Sequence, residues 1–371
     1  MKIRLVIPPV KPTPADRPAS CPHCGHWRLH RHGHVTKPLK DHRQAAVLAE
    51  RYRCCGCGRT FRHYPAGVSR ATQSQRTIVL AALCYGLGLS CSASAHLLGA
   101  LGIELCAMTV WRDAQAAGAA LRRTRPGGTV QVLGADETVY RVRGQETVVG
   151  FVTDGQTGLT LDFMVLAASD GAAFRAWLAP YVEQYGVEVL VTDEHASYGV
   201  VAADLGVEQQ LCLAHVRKAL TKRRKAILAQ ARQAGTEEQQ LHQLATELAR
   251  IRALVRELPA DGGQELERLH RRYLAAVPPG KGEQASVAYR MRLLTLELWQ
   301  HWGKLRLFLR RPELGLDGTN NATERAIGKS KLRYRTMRGY KSLAGLANGI
   351  ALTQWLYTGA AQHDLAATMA A

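Results

Sequence analysis

The sequence predicts a multidomain α/β protein, in which a small metal-stapled ribbon and a helix-turn-helix precede a mixed-sheet core interrupted by an all-helical insertion. Three observations carry this. Two C-x2-C pairs lie near the start of the chain, and short apolar helical runs separated by glycines follow. Runs of β-formers then lead to Asp136 and Asp193, and a long stretch rich in Ala, Leu, Arg, Gln and Glu comes after them. At 371 residues, 46% of them hydrophobic, the chain can build two or three cores.

The ribbon comes first. Cys21-Pro22-His23-Cys24 and Cys54-Cys55-Gly56-Cys57 each run into a glycine, Gly25 and Gly58, which lets the chain fold back so that both pairs reach one tetrahedral ion. Cys21, Cys24, Cys54 and Cys57 thus form a structural Zn2+ set, whereas a redox C-x-x-C would stand alone beside a βαβ unit. Val47 to Arg53 leads into the second pair and Thr60 to Arg62 leaves it, both as strands. His23, His26, His30, His32, His34 and His42 read as solvated polar surface, because four thiolates already close the shell. Cys84, Cys91, Cys106 and Cys212 are scattered, so no disulfide framework is expected.

Three helical runs follow: Ile78 to Tyr85, Cys91 to Leu98, and Cys106 to Gly118. Gly86 and Gly88 end the first, Ser90 can cap the second, and Gly99 to Gly102 make the turn before the third. The spacing suits a helix-turn-helix whose last helix, carrying Arg112, enters the major groove; a plain helical bundle linking two domains has the same pattern. Arg122-Arg123-Thr124-Arg125 followed by Pro126-Gly127-Gly128 reads as a basic linker.

In the core, Val130 to Asp136 is a strand ending in a carboxylate, and Thr147 to Thr153 and Leu159 to Val165 complete a meander. Ser169 or Asp170 caps a helix that Gly186 stops, and Val187 to Asp193 is a buried strand that again ends in Asp. A third acid, Glu324, falls in the first turn of a helix that Thr319 or Asn320 can cap, where the helix dipole favours an anion. Gly328, Lys331, Arg335 and Arg338 share its face, the three cations as candidate contacts to the flanking DNA backbone, with Ile327, Tyr334 and Met337 as an adjacent apolar stripe. Two strand ends and one helix delivering acids make the pattern of a two-metal phosphoryl-transfer site, for which two Mg2+ (or Mn2+) ions suit few carboxylates plus water and substrate oxygens. On this segment alone, a salt-bridged surface helix is the alternative. Glu137 and Glu194 follow the two Asp residues but alternation sends them to the other face; Asp154, Asp170 and Asp317 read as turn, cap and loop residues.

Charge agrees with a nucleic-acid partner. Forty-nine Lys and Arg against 30 Asp and Glu give a net charge of +19 and a pI near 9.8. Anionic membrane would attract the same charge, but no apolar run approaches the roughly 18 residues that span a bilayer. The Met1 to Val10 segment is too short for a signal peptide and is interrupted by Pro8 and Pro9, so a cytoplasmic, nucleoid-associated protein is expected.

The chain resembles DDE transposases of bacterial insertion sequences. Gly134-Ala135-Asp136-Glu137-Thr138, Val191-Thr192-Asp193-Glu194-His195 and Asn320-Asn321-Ala322-Thr323-Glu324-Arg325 carry the resemblance, which covers almost the whole chain. It implies an RNase H-like core with Asp136, Asp193 and Glu324 catalytic, and cleavage at element ends followed by strand transfer into target DNA. Double-stranded DNA is then the partner, with a homodimer or higher oligomer assembled on it. Cys212 and His215 are similar to the C-x2-H element that supports the site in members with a helical insertion. Asp193 and Glu324 are much farther apart in sequence than in members with a short connection, which implies the inserted-domain type. The expected domains are 1–68 (ribbon with an N-terminal arm), 69–125 (helix-turn-helix), 126–211 with 312–371 (core) and 212–311 (insertion, broken at Pro278-Pro279-Gly280). Trp299 and Trp302 in the insertion are either core residues or, as in related enzymes, a platform for a flipped base. A transposase-derived DNA-binding regulator and an RNase H-like nuclease for branched DNA are the alternatives; the intact acid set argues against the first, and the ribbon with helix-turn-helix against the second.

Overall fold

A computed structural model describes residues 6–124, 126–168, 170–336, 339–359 and 364–370. The chain divides into two units: one comprises Met1–Pro126, Tyr140–Thr147 and Ile327–Ala371, the other Gly127–Val139 and Val148–Ala326. The first unit opens with β1 (Leu29–Pro38), β2 (Ala46–Cys54) and β3 (Thr60–His63), an antiparallel sheet in that order. Its small cores are Cys21, Leu29, Tyr52 and Cys54 at one place and Val10, Leu39, Val47 and Val68 at another. Helices α1 (Gln75–Gly86), α2 (Cys91–Ala100) and α3 (Ala107–Leu121) follow, the first two capped by the Ser74 and Ser90 hydroxyls, and they meet around Ala81, Leu98, Ile103 and Val110.

The second unit holds most of a five-stranded sheet. β4 (Val132–Val142) and β5 (Gln145–Asp154) form a hairpin, and its two-residue turn places Arg143 and Gly144 at φ of 53° and 83°, a type I′ geometry. After β6 (Thr160–Val165) come α4 (Gly171–Tyr185), β7 (Val189–Thr192), α5 (Ala196–Asp204) and β8 (Glu208–Leu211). The sheet order is β6-β5-β4-β7-β8, with β7 parallel to both β4 and β8 and β6 antiparallel to β5. α4 starts at Asp170, whose carboxylate accepts from the Ala173 N–H, and stops at left-handed Gly186; it buries Phe174, Trp177, Leu178 and Tyr181 against Leu133, Ala135, Val152 and Leu190. Ser169 lies outside the described residues.

Two features of the sheet differ from expectation. β4 does not end at Asp136 but continues to Val142, because hairpin pairing with β5 sustains it; β7 does end, at Thr192, one residue before its Asp. β8 went unforeseen because Glu208, Gln209 and Gln210 lack an apolar run; their partners are polar, with the Gln210 amide donating to the Leu211 carbonyl and Lys304 donating to Gln209.

The inserted helices are α6 (Leu213–Gln233), α7 (Glu238–Glu257), α8 (Gly262–Arg272), α9 (Val287–Gln300), α10 (Trp302–Leu305) and α11 (Leu307–Arg310). The helical stretch expected from Val216 to Leu258 breaks between α6 and α7, where Gly235 takes φ 68°. Leu220, Ile227, Leu248, Ile251, Leu266, Leu294 and Leu298 form one core with Trp302, which is 6% exposed, and Trp299 packs on it facing His270. Trp302 is therefore a core residue of the insertion, and Trp299 lies partly buried at the edge of that core.

α12 (Asn321–Thr336), α13 (Leu343–Gln354) and α14 (Leu365–Ala370) complete the chain. α13 approaches α3 so closely that a Cβ at Gly118 would lie 2.3 Å from the Asn348 carbonyl oxygen. The fully buried described residues of α12 are Thr323, Ala326, Ser330 and Arg333, while Ile327 and Tyr334 of the expected apolar stripe are half-buried; Met337 and Arg338 lie outside the described residues. Among the described residues no helix is long and apolar enough to cross a membrane.

Candidate active site

The parallel β4–β7 ladder pairs Val132 with Val189 and Gly134 with Val191, and the charge of Asp193, just past the end of β7, acts on the Asp136 carboxyl. Asp193 sits in the turn after β7, where its carboxylate accepts from the His195 N–H at 2.9 Å.

Glu324 arrives on the first turn of α12, which a buried polar network seats on the sheet. Asn320 donates from Nδ2 to the Ala135 carbonyl at 2.8 Å and from its backbone N–H to Cys212 Sγ at 3.3 Å. The Thr323 hydroxyl donates to Asn320 Oδ1 and shares a hydrogen bond with the Thr153 hydroxyl, each at 2.7 Å. Ala135 precedes Asp136 and Thr323 precedes Glu324, so the network couples two acids through their sequence neighbours. Gly134 makes room for it: a Cβ there would fall 2.4 Å from Thr323 Oγ1 and 2.7 Å from Thr153 Oγ1. Sequence reasoning gave Asn320 a capping role and missed Gly134, Thr153 and Thr323. The available signal was a glycine inside an apolar strand, which marks close approach by another segment.

His215 completes the cluster from α6. Its Nε2 lies 3.6 Å from Glu324 Oε1, and the Cys212, His215 and Glu324 ligand atoms all fall within 4.8 Å of one another. The Cys212 sulfur as hydrogen-bond partner, with Glu324 and Asp136 nearby, lifts the imidazole to about 9. Burial, joined by the charges of Glu137 and Asp193, pushes the Asp136 carboxyl up to about 7. Such crowding of carboxylates is relieved by a cation, and half-exposed Glu324 and His215 leave it access.

The neighbouring acids differ from one another. Glu137 accepts from the buried Tyr198 hydroxyl, as befits the opposite face of β4. Glu194 corrects the expectation: it lies beyond the end of β7, so alternation does not apply. Burial raises its carboxyl, Arg223 opposes the rise, and Glu297, Asp193 and His215 also act on it. Asp154 and Asp317 accept backbone N–H groups in their own turns, as expected.

The profile of the IS66 family of transposases matches residues 72–348. The chain belongs to that family. In this IS66-family transposase the matched span includes every acid described above together with Cys212 and His215, and begins after the paired cysteines. No curated protein matches the chain closely enough to count as a relative. Among solved structures, it is similar to the Drosophila P element transposase strand transfer complex, with 10% identity, a TM-score of 0.46, and coverage of 80% of this chain and 94% of that one. It is also similar to the catalytic core domain of BIV integrase, with 10% identity, a TM-score of 0.20, and coverage of 46% of this chain and 83% of that one.

In the transposase's other unit, the Sγ atoms of Cys21, Cys24, Cys54 and Cys57 all lie within 4.8 Å of one another, with Cys21 to Cys57 at 3.8 Å and Cys24 to Cys54 at 3.5 Å. A tetrahedral ion with sulfur ligands at about 2.3 Å requires sulfurs about 3.8 Å apart, so the set fits zinc. The Cys57 N–H draws the Cys54 thiol down to about 7. For Cys24 the largest influence is the lowering His26 N–H, yet the Cys54 thiol, burial and the Cys57 and Cys21 thiols together push it up to about 12.

The candidate DNA-binding cations divide. Arg112 is exposed on α3 and Arg335 on α12. Lys331 instead directs its Nζ onto the Tyr140 ring at 4.4 Å and the Tyr334 ring at 5.4 Å. Arg338 is outside the described residues.

Proposed function

We propose that this IS66-family transposase cuts DNA at the ends of its element and joins them to target DNA, with Asp136, Asp193 and Glu324 as the metal-holding acids. The observation that supports the reading is the Asn320 network, which ties the start of the Glu324 helix to the residue before Asp136, whose carboxyl also feels the charge of Asp193. Divalent ions held there, Mg2+ or Mn2+, would activate the attacking oxygen and stabilise the leaving oxygen at the scissile phosphate. Asp136 would give up its proton as it takes its cation, and His215 would hold Glu324 in place through its Nε2. Cys212 would act through packing, since its sulfur already accepts the Asn320 N–H. On this reading 126–211 with 312–371 is an RNase H-like core, 212–311 its insertion, and α1 to α3 a helix-turn-helix with Arg112 at base edges. The enzyme would work on double-stranded DNA as a homodimer or larger assembly in the cytoplasm.

A strand-transfer assay with the DNA that flanks the encoding gene tests this. Wild type should nick and join it only with a divalent ion, and Asp136→Asn or Asp193→Asn should lose both steps by on the order of a thousandfold while still binding DNA. Joining near the wild-type rate in either variant overturns the assignment. We also assign Cys21, Cys24, Cys54 and Cys57 to structural zinc: one ion per chain should copurify, and chelation should unfold the ribbon while α4 and its sheet remain folded. Zinc-free protein with four reactive thiols and an intact ribbon contradicts it.

A further inference from the structure

We propose that α6 is a track for the DNA strand that leaves the acid cluster, with Lys218, Lys222 and Lys225 as its phosphate contacts. The inference rests on the reading that this protein acts on DNA, and it assigns a binding surface on the insertion. α6 starts beside the cluster, since His215, in its first turn, faces Glu324 at 3.6 Å. Over its 21 residues α6 has seven Lys and Arg and no Asp or Glu, whereas α7, α8 and α9 mix both signs. Leu213, Val216, Leu220, Ile227 and Ala231 bury one face of α6 in the core of the insertion. At about 100° per residue, Lys218, Lys222 and Lys225 fall in an arc of about 60° on the opposite side, adjacent to His215. All three lysines are exposed.

Charge and spacing choose the occupant. At 1.5 Å rise per residue the lysines extend about 10 Å along the helix, the length of roughly three phosphates of a stacked strand at about 3.4 Å each. An anionic bilayer would require large apolar side chains between the cations, and this arc offers only Ala229. Two other cations of α6 are otherwise engaged: Arg223 pairs with Glu297 at 2.6 Å and Arg217 donates to the Arg256 carbonyl. The three lysines therefore form a continuous cationic ridge running outward from the acids.

The test uses the full chain and a fluorescein-labelled, random-sequence duplex with a single-stranded overhang, read by anisotropy across a salt series. Lys218→Gln/Lys222→Gln/Lys225→Gln should weaken binding about tenfold or more at physiological salt and flatten the salt slope by about 2 to 3 units. The triple Arg variant should bind as wild type does, which excludes misfolding as the cause. A triple Gln variant with unchanged affinity and slope overturns the proposal, as does a triple Arg variant that binds as poorly as the Gln variant. Asp193→Asn, measured alongside, should bind normally, so failure of the acid assignment is read separately, in the strand-transfer assay.

Discussion

Asp136 and Asp113 are both carboxyls that burial pushes up to about 7, and they sit in very different company. Asp113 lies on the buried face of α3 at 9% exposure, and the Gln73 amide donates to it at 3.0 Å. Asp136 has Glu137 and Asp193 adding to its rise and His215 opposing it, and its sequence neighbour is bonded to the helix of a further acid. The shift reports burial in both places. Only the surroundings of Asp136 give a shared cation something to hold, so it is the neighbours of a perturbed acid, rather than the perturbation, that mark chemistry.

The contrast can be broken most forcefully at Gly134. Gly134→Ala drives a methyl into the Thr323 and Thr153 hydroxyls and should unseat α12, lowering strand transfer by on the order of a hundredfold, with binding of DNA largely kept. Wild-type joining by this variant would show that the network does not position Glu324.

A smaller effect of the opposite sign is expected at Asp113. Its folded pKa is raised, so the native state keeps a proton that the unfolded chain releases; the stability it contributes is full below the ordinary carboxylate value and is lost as pH rises to about 7. Asp113→Asn should therefore stabilise the protein increasingly from about pH 4 to 7, by on the order of 1 kcal/mol or more above that, and leave metal-dependent activity unchanged. Melting curves across this range that show no pH-dependent gain would refute it.

The smallest effect separates two cations of α12. Arg335→Gln should flatten the salt slope of DNA binding by about one unit, whereas Lys331→Gln should barely alter it, because that ammonium lies over two tyrosine rings. Equal slopes for the two variants would contradict this difference.

Much of this architecture was legible locally. Ser90 before Cys91, Asp170 before Gly171 and Gly186 after Tyr185 mark helix ends by capping chemistry, and the paired cysteines announce their own cluster. The strand before Asp193 was legible because Val187 to Thr192 is a largely apolar run with the length of a buried strand. What stayed hidden depends on partners distant in sequence. The buried line of α12 is polar because the Ser330 hydroxyl meets that of Tyr140 and the Arg333 guanidinium lies over the Tyr85 ring, pairs that no helical period reveals. β8 was hidden for a similar reason, its glutamines being satisfied by groups from the insertion, Lys304 among them.

The acids around Asp136 are expected to share a divalent cation, and Asp113 is not. Mn2+ titration of the full chain, followed by electron paramagnetic resonance, measures this directly. Wild type and Asp113→Asn should take up Mn2+ alike, while Asp136→Asn and Asp193→Asn should each lose that uptake. Undiminished Mn2+ binding by Asp136→Asn would contradict it.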